Sequence, residues 1–166
     1  MEEQFQQIKN WLGIGSINIF GLPMSGKDTI GVRLAENLGA KFLSSGMIIR
    51  AIEQEKGENL SHEGKLIPQN VFFEWILPYF EREDLWKYPL ILSSIGRWNG
   101  EENEVMSVAK KTGHTIRAVV ELQLTEQDVI ERWEAAKILG DRGLRPDDAK
   151  PEVFQTPVRP PPPGEP

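Results

Sequence analysis

The sequence predicts an α/β fold: a parallel sheet of about four to five strands with helices on both faces. Three observations lead there. Short apolar runs alternate with helix-periodic segments along most of the 166 residues, and such alternation needs crossover connections, hence parallel strands covered on both sides. One glycine-rich stretch, GLPMSGKDT at 21–29, joins an apolar run directly to a helix-periodic one. With 39% hydrophobic residues and no cysteine, a chain of this length builds one buried core without cross-links.

Each element has its own local reason. Phe5, Ile8, Trp11 and Leu12 recur at helical spacing and predict an amphipathic helix over 3–12, ended by Gly13 and Gly15. The apolar run at 17–21 is the first strand; Ile30, Leu34 and Leu38 then mark a helix that stops at Gly39. AKFLS is the second strand and GMIIRAIEQEK the next helix. PQNVFFEWILPYFERE is a more apolar helix that Pro68 starts and Pro78 kinks. Its Phe72, Phe73, Trp75 and Leu77 read as helix core rather than as a platform for stacking a base. PLILSS is the third strand, EENEVMSVAKKTG a polar helix and IRAVVELQL the fourth strand. Thr125 caps the last helix, TEQDVIERWEAAKI, with an acid early in its first turn. After Ile138 the pattern dissolves, and six of the last ten residues are proline. The organisation expected is one domain over 1–156 and an inert, extended or disordered tail over 157–166. A proline-rich ligand for another protein is the lesser reading of that tail.

A net charge of -6 argues against a general electrostatic grip on nucleic acid or an anionic membrane, so any phosphate ligand must be held locally. Without cysteine there are no thiolate metal sites or thiol nucleophiles. The two histidines, His62 and His114, stand in polar loop contexts and read as surface residues. No stretch approaches the ~20 apolar residues that span a bilayer, and the expected location is cytoplasmic.

The loop at 21–29 carries the chemistry. A glycine-rich turn between a buried strand and a helix lets successive backbone amides face phosphate oxygens, with the positive end of the helix dipole behind them. Gly21 and Gly26 supply the turn and Lys27 adds a mobile charge. The strict phosphate-loop pattern G-x-x-x-x-G-K-[ST] fails by one residue, because Asp28 follows the lysine and the hydroxyl comes at Thr29.

GLPMSGKDT resembles the adenylate kinase loop G-x-P-G-x-G-K-G-T, sharing Pro23 and the displaced threonine, with Met24 and Asp28 replacing glycines. SSGMIIRA is similar to that family's T-G-D-M-L-R, so Ser45, Gly46 and Arg50 fall on residues that hold the nucleoside monophosphate, while Met47 replaces an acid. EGKLIP, with Leu66 and Ile67, resembles the segment lying over the acceptor nucleotide. LILSSIGRWNGEE falls where the family has L-L-D-G-F-P-R and a glutamine four residues on. Gly96 and the phosphate-binding Arg97 match there, Ser93 replaces the acid and Glu101 the glutamine. Arg132 matches the arginine that covers the ATP base, and LRPDD resembles the lid, with Arg145 carrying the match and Arg142 nearby. Asp147 and Asp148 are expected to cap or orient that lid instead of performing acid chemistry. The family's further arginine and long terminal helix have no counterpart before the proline tail.

The resemblance implies a phosphate-loop nucleoside triphosphate hydrolase-like fold, with an NMP-binding helical segment at about 44–82 and a short lid at about 137–147. It implies transfer of the γ-phosphoryl of ATP to a nucleoside monophosphate, AMP first, with Mg²⁺ as cofactor. ATP would lie against Pro23, Met24, Ser25, Gly26, Lys27, Asp28, Thr29 and Arg132. Lys27, Arg97, Arg132, Arg142 and Arg145 would neutralise the transferring phosphate. Because both family acids are replaced, Asp28 is expected to take over the metal, directly or through water. An ionised Glu101 only accepts hydrogen bonds, which suits guanine better than adenine and keeps GMP open as acceptor. A nucleotide-binding protein without transfer activity and a kinase with a non-nucleotide acceptor also stay open.

Overall fold

Six consecutive buried residues form β1, Ser16–Gly21, the strand around which the sheet is built. A computed structural model describes residues 1–57 and 69–139 of the protein. Before β1 lies α1 (Glu2–Leu12), and after it α2 (Lys27–Leu38), β2 (Lys41–Ser44) and α3 (Ser45–Lys56). Then come α4 (Gln69–Val71), a π turn (Phe72–Ile76) and α5 (Leu77–Tyr79), followed by a 3₁₀ turn at Glu83–Leu85. β3 (Leu90–Ser93), α6 (Glu101–Lys111), β4 (Ile116–Leu122) and α7 (Glu126–Leu139) complete the described chain. The strands run in the order β2-β3-β1-β4, every pairing parallel.

Alternation along the strands sorts the core into two layers. Ile17, Ile19 and Ile91 face one side with Leu12, Ala35 and Leu38, and Phe5, Ile8 and Phe42 pack against that cluster. Leu90, Leu92 and Leu43 face the other side, covered by Ile48, Ile49, Phe72, Trp75, Ile76, Phe80, Val105 and Ala109. The chain therefore leaves β1 for α2 on one face and leaves β3 for α6 on the other. Neighbouring strands whose continuations diverge in this way open a crevice at their C-terminal ends, where open α/β sheets bind ligands.

Three local expectations are corrected. Ile30 is 45% exposed, because the inner face of α2 is Gly31, Ala35 and Leu38. The apolar helix is not kinked at Pro78 itself; it widens into the π turn just before it, where the Leu77 amide reaches back to the Phe72 carbonyl. A five-residue hydrogen-bonded turn relieves the register that a proline lacking its amide would otherwise break. In that turn Phe72, Trp75 and Leu77 are buried as expected, whereas Phe73 is 39% exposed. The Thr125 cap is present in reciprocal form: its hydroxyl accepts from the Asp128 amide at 3.1 Å, and the Asp128 carboxylate accepts from the Thr125 amide at 3.0 Å. The Thr125 hydroxyl, donating to Asp128 Oδ2 at 2.6 Å, and then the Thr125 amide hold the Asp128 carboxyl below the usual carboxylate range. The lid, the proline-rich tail, and part of the NMP-binding segment (58–68) lie outside the described residues.

Candidate active site

The loop leaves β1 at Gly21 and ends at Gly26, which is also the N-cap of α2 with φ 91, a left-handed conformation that suits glycine. At Gly21 a Cβ would stand 2.7 Å from Ser25 Oγ and 2.9 Å from the Leu122 carbonyl, so close packing excludes any side chain. The N-cap of α2, Gly26, makes no side-chain cap hydrogen bond, and helix N-termini are places where anions bind. Lys27 lies across the loop, donating from Nζ to the Leu22 carbonyl at 2.7 Å. Arg132, from α7, donates to the Met24 and Ser25 carbonyls at 3.3 and 3.2 Å. Inside the loop Ser25 is 5% exposed, and its hydroxyl has no partner among the described residues.

The adjacent strand β3 ends at Ser93, whose buried hydroxyl donates to Asp28 Oδ1 at 2.7 Å. Beyond it the Ile95 carbonyl accepts from Asn18 Nδ2 at 2.7 Å, anchoring the turn to β1. Arg97 follows, half-buried, and its Nε and Nη2 lack partners among the described residues. Burial pushes its guanidinium below the ordinary value and the Glu101 carboxylate opposes that shift. Arginine stays charged through such shifts, so this is a partly desolvated cation open to an anion. On α3, Ser44 caps the helix by accepting from the Met47 amide at 3.2 Å. Ser45 and Gly46 are half-buried in the first turn, with Arg50 exposed one turn on.

No protein-family model matches the chain. It is 28% identical over 151 residues to an adenylate kinase of Streptomyces avermitilis, covering 87% of this chain and 65% of that protein. It is 30% identical over 136 residues to UMP-CMP kinase 2 of Oryza sativa subsp. japonica, covering 78% and 52%. The chain is similar in sequence to adenylate kinases and to other nucleoside monophosphate kinases. It spans about half to two thirds of the length of these relatives. Among solved structures, a gluconokinase from Sinorhizobium meliloti shares the fold with a TM-score of 0.55 at 21% identity, over 92% of this chain and 79% of that one.

Within this α/β fold Asp28 and Ser93 meet at the C-terminal ends of β1 and β3, Lys27 and Arg132 bond the loop between β1 and α2, and Arg97 lies in the turn after β3. Two expected residues sit differently from the sequence reading. Glu101 is 1% exposed, and its Oε2 accepts from the Trp98 amide at 3.2 Å, so it holds the 97–100 turn closed instead of standing open to a base. Burial raises its carboxyl above the usual range, against the Trp98 bond and the Arg97 charge. His114, expected at the surface, is fully buried at the opposite end of the sheet, where its Nδ1 bonds the Ile14 carbonyl at 2.9 Å. Its own carbonyl accepts from Ser16 Oγ at 2.8 Å, and this bond from a β1 side chain to the backbone just before β4 holds the His114 backbone against β1. Arg142, Arg145, Leu66, Ile67, His62, Asp147 and Asp148 lie outside the described residues. Sequence reasoning missed the partnership of Asp28 with Ser93, although both are departures from the family pattern and could have been read as one change. It also missed Ser25 as a buried hydroxyl inside the loop.

Proposed function

We propose that this chain is a nucleoside monophosphate kinase that transfers the γ-phosphoryl of ATP to AMP, giving two ADP. The observation that carries the reading is the guanidinium of Arg97, in the turn that follows β3, the strand next to β1 and its loop: its buried Nε and Nη2 have no partner among the described residues. One anion site on each of two neighbouring strand ends suits a reaction between two phosphates. The names of the relatives support a nucleotide acceptor, and the adenylate kinase among them supports AMP.

The α2 amides and Lys27 would bind the β- and γ-phosphates, with Lys27 exchanging its Leu22 carbonyl bond for a phosphate oxygen. Arg97 would hold the acceptor phosphate and, through its planar fork, fix the direction from which that phosphate approaches. Arg132 rests on the loop carbonyls and so keeps the loop amides turned toward the ligand. No covalent enzyme intermediate is needed, because positioning and charge neutralisation supply the catalysis. The Asp28 carboxylate, oriented by the hydrogen bond from the Ser93 hydroxyl, offers hard oxygen that fits Mg²⁺ beside the phosphates. When bound, that ion would neutralise charge on the β- and γ-phosphates. An ion held there would take its remaining ligands from phosphate and water.

The test is a coupled assay of ADP formation from ATP with AMP, GMP, CMP and UMP in turn. AMP is expected to give the highest kcat/KM, and Arg97→Ala to raise the KM for the monophosphate more than that for ATP. Nucleotide binding with no transfer to any monophosphate would replace the proposal with a non-catalytic nucleotide-binding protein.

A further inference from the structure

Strict phosphate loops place a hydroxyl directly after the lysine, and that hydroxyl shares the metal with an acid elsewhere in the site. Here the residue after Lys27 is Asp28, and the neighbouring strand β3 ends in Ser93. The two side chains meet at 2.7 Å. We propose that the carboxylate and the hydroxyl have exchanged backbone positions, so that Asp28 is the divalent-cation ligand and Ser93 its positioning residue. This rests on the nucleotide-binding reading above and assigns the cation to a pair that neither the strict loop nor the resembled family places this way round.

Geometry supports an exchange rather than two unrelated losses. A carboxylate oxygen lies one bond further from the backbone than a serine hydroxyl. Lengthening the side chain on α2 while shortening the one on β3 keeps the number of bonds between the two backbones unchanged. The hydrogen bond therefore closes across the same gap in either arrangement. Ser93 is 3% exposed and gives its proton to Asp28, which holds the carboxylate in one orientation. Asp28 itself is exposed at the mouth of the loop, with carboxylate surface left for a cation. In the same loop the Ser25 hydroxyl is buried and has no partner among the described residues. A carboxylate next to bound phosphates, with no cation between them, would repel them.

That repulsion gives a test whose sign depends on the metal. Binding of β,γ-imido-ATP is measured calorimetrically in EDTA, and Mn²⁺ binding to the nucleotide complex is followed by electron paramagnetic resonance. Asp28→Asn is expected to tighten metal-free nucleotide binding, because a negative charge is removed. The same variant is expected to weaken Mn²⁺ binding in the complex by about tenfold or more, a loss of ~1.4 kcal/mol. Asp28→Ser alone should show a similar Mn²⁺ loss, and Asp28→Ser combined with Ser93→Asp should recover most of it. The proposal is overturned if Asp28→Asn leaves Mn²⁺ affinity within twofold of the wild type, or if the double exchange is no better than Asp28→Ser. A merely structural Asp28–Ser93 bond would instead lower the melting temperature of the metal-free protein without moving Mn²⁺ affinity, which also overturns it. Nucleotide binding retained alongside such results would leave the kinase reading standing, whereas failure of the wild type to bind nucleotide would remove both.

Discussion

Gly31 sits on the buried face of α2, one turn after the residues that carry the loop chemistry. A Cβ there would lie 2.3 Å from Phe42 Cε2, 2.9 Å from Cδ2 and 3.4 Å from Cζ. Carbon atoms in contact prefer at least about 3.5 Å, so ring and helix must part by roughly 1.2 Å to admit one methyl group. Forcing an extra methyl into a packed contact costs about 1–3 kcal/mol. Alanine is better than glycine within a helix by about 1 kcal/mol, which offsets part of that cost. Gly31→Ala is therefore expected to destabilise the protein by about 1 kcal/mol net, read as a lower urea midpoint at unchanged slope. Replacing Phe42 by leucine in the same chain removes the ring edge that makes the clash. The two changes together should then cost at least ~0.5 kcal/mol less than the sum of the singles. A Gly31→Ala protein as stable as the wild type, or two strictly additive changes, would refute the idea that the Phe42 ring dictates glycine at this position.

Lys27→Ala is expected to lower phosphoryl transfer by at least ~10²-fold. In unfolding without ligand it should cost no more than about 1.5 kcal/mol, the order of one part-buried hydrogen bond. Met24→Gly should gain about 0.5–1 kcal/mol, because Met24 holds φ 61 and relief of that strain exceeds the added freedom of glycine in the unfolded chain; a loss of stability would show that the Met24 side chain packs for more than its backbone costs. The raised Glu101 carboxyl contributes stability that is fully present below its unfolded value and is lost as pH rises through the folded one. Glu101→Gln should accordingly flatten that part of the pH–stability curve and leave the protein more stable at neutral pH, which urea melts at a series of pH values would check.

The elements were legible because their signals are local. Short continuous apolar runs at 17–21 and 89–94 and helical spacing at Phe5, Ile8 and Leu12 report burial directly. Errors arose where burial depends on a distant contact. Ile30 has the right spacing, yet α2 turns its small residues to the sheet because Gly31 admits the Phe42 ring. His114 stands in a polar context, and only the bonds linking the residues before β1 to those before β4 show why it goes inside. In the site, Lys27 and Arg97 could be found one motif at a time. The Asp28–Ser93 bond joins residues 65 positions apart, and no reading of either segment alone contains it.

Departures from ordinary folding rules gather at the C-terminal ends of β1 and β3. The only two non-glycine residues with positive φ among the described ones, Met24 and Ser94, follow these two strands. Ser25, Ser94, Arg97 and Glu101 all carry buried polar atoms without partners among the described residues. Each such atom costs about 1–3 kcal/mol, so their concentration at one edge opposes stability unless something else satisfies them. Sorted by chemistry, three of the four residues are donors: two hydroxyls and a guanidinium. An anion rich in acceptor oxygens, such as the phosphates proposed above, is the kind of ligand that satisfies donors of this type. Glu101 cannot be satisfied that way, because an ionised carboxylate needs a donor. Its raised carboxyl supplies one: a proton bound there turns an unpaired acceptor into a donor and removes a negative charge from beside the incoming phosphate. Acceptor binding should therefore draw a proton onto Glu101 and be tighter at lower pH within the range where the monophosphate keeps its charge. In the Glu101→Gln variant that pH dependence should vanish, and its persistence would assign the effect to another group.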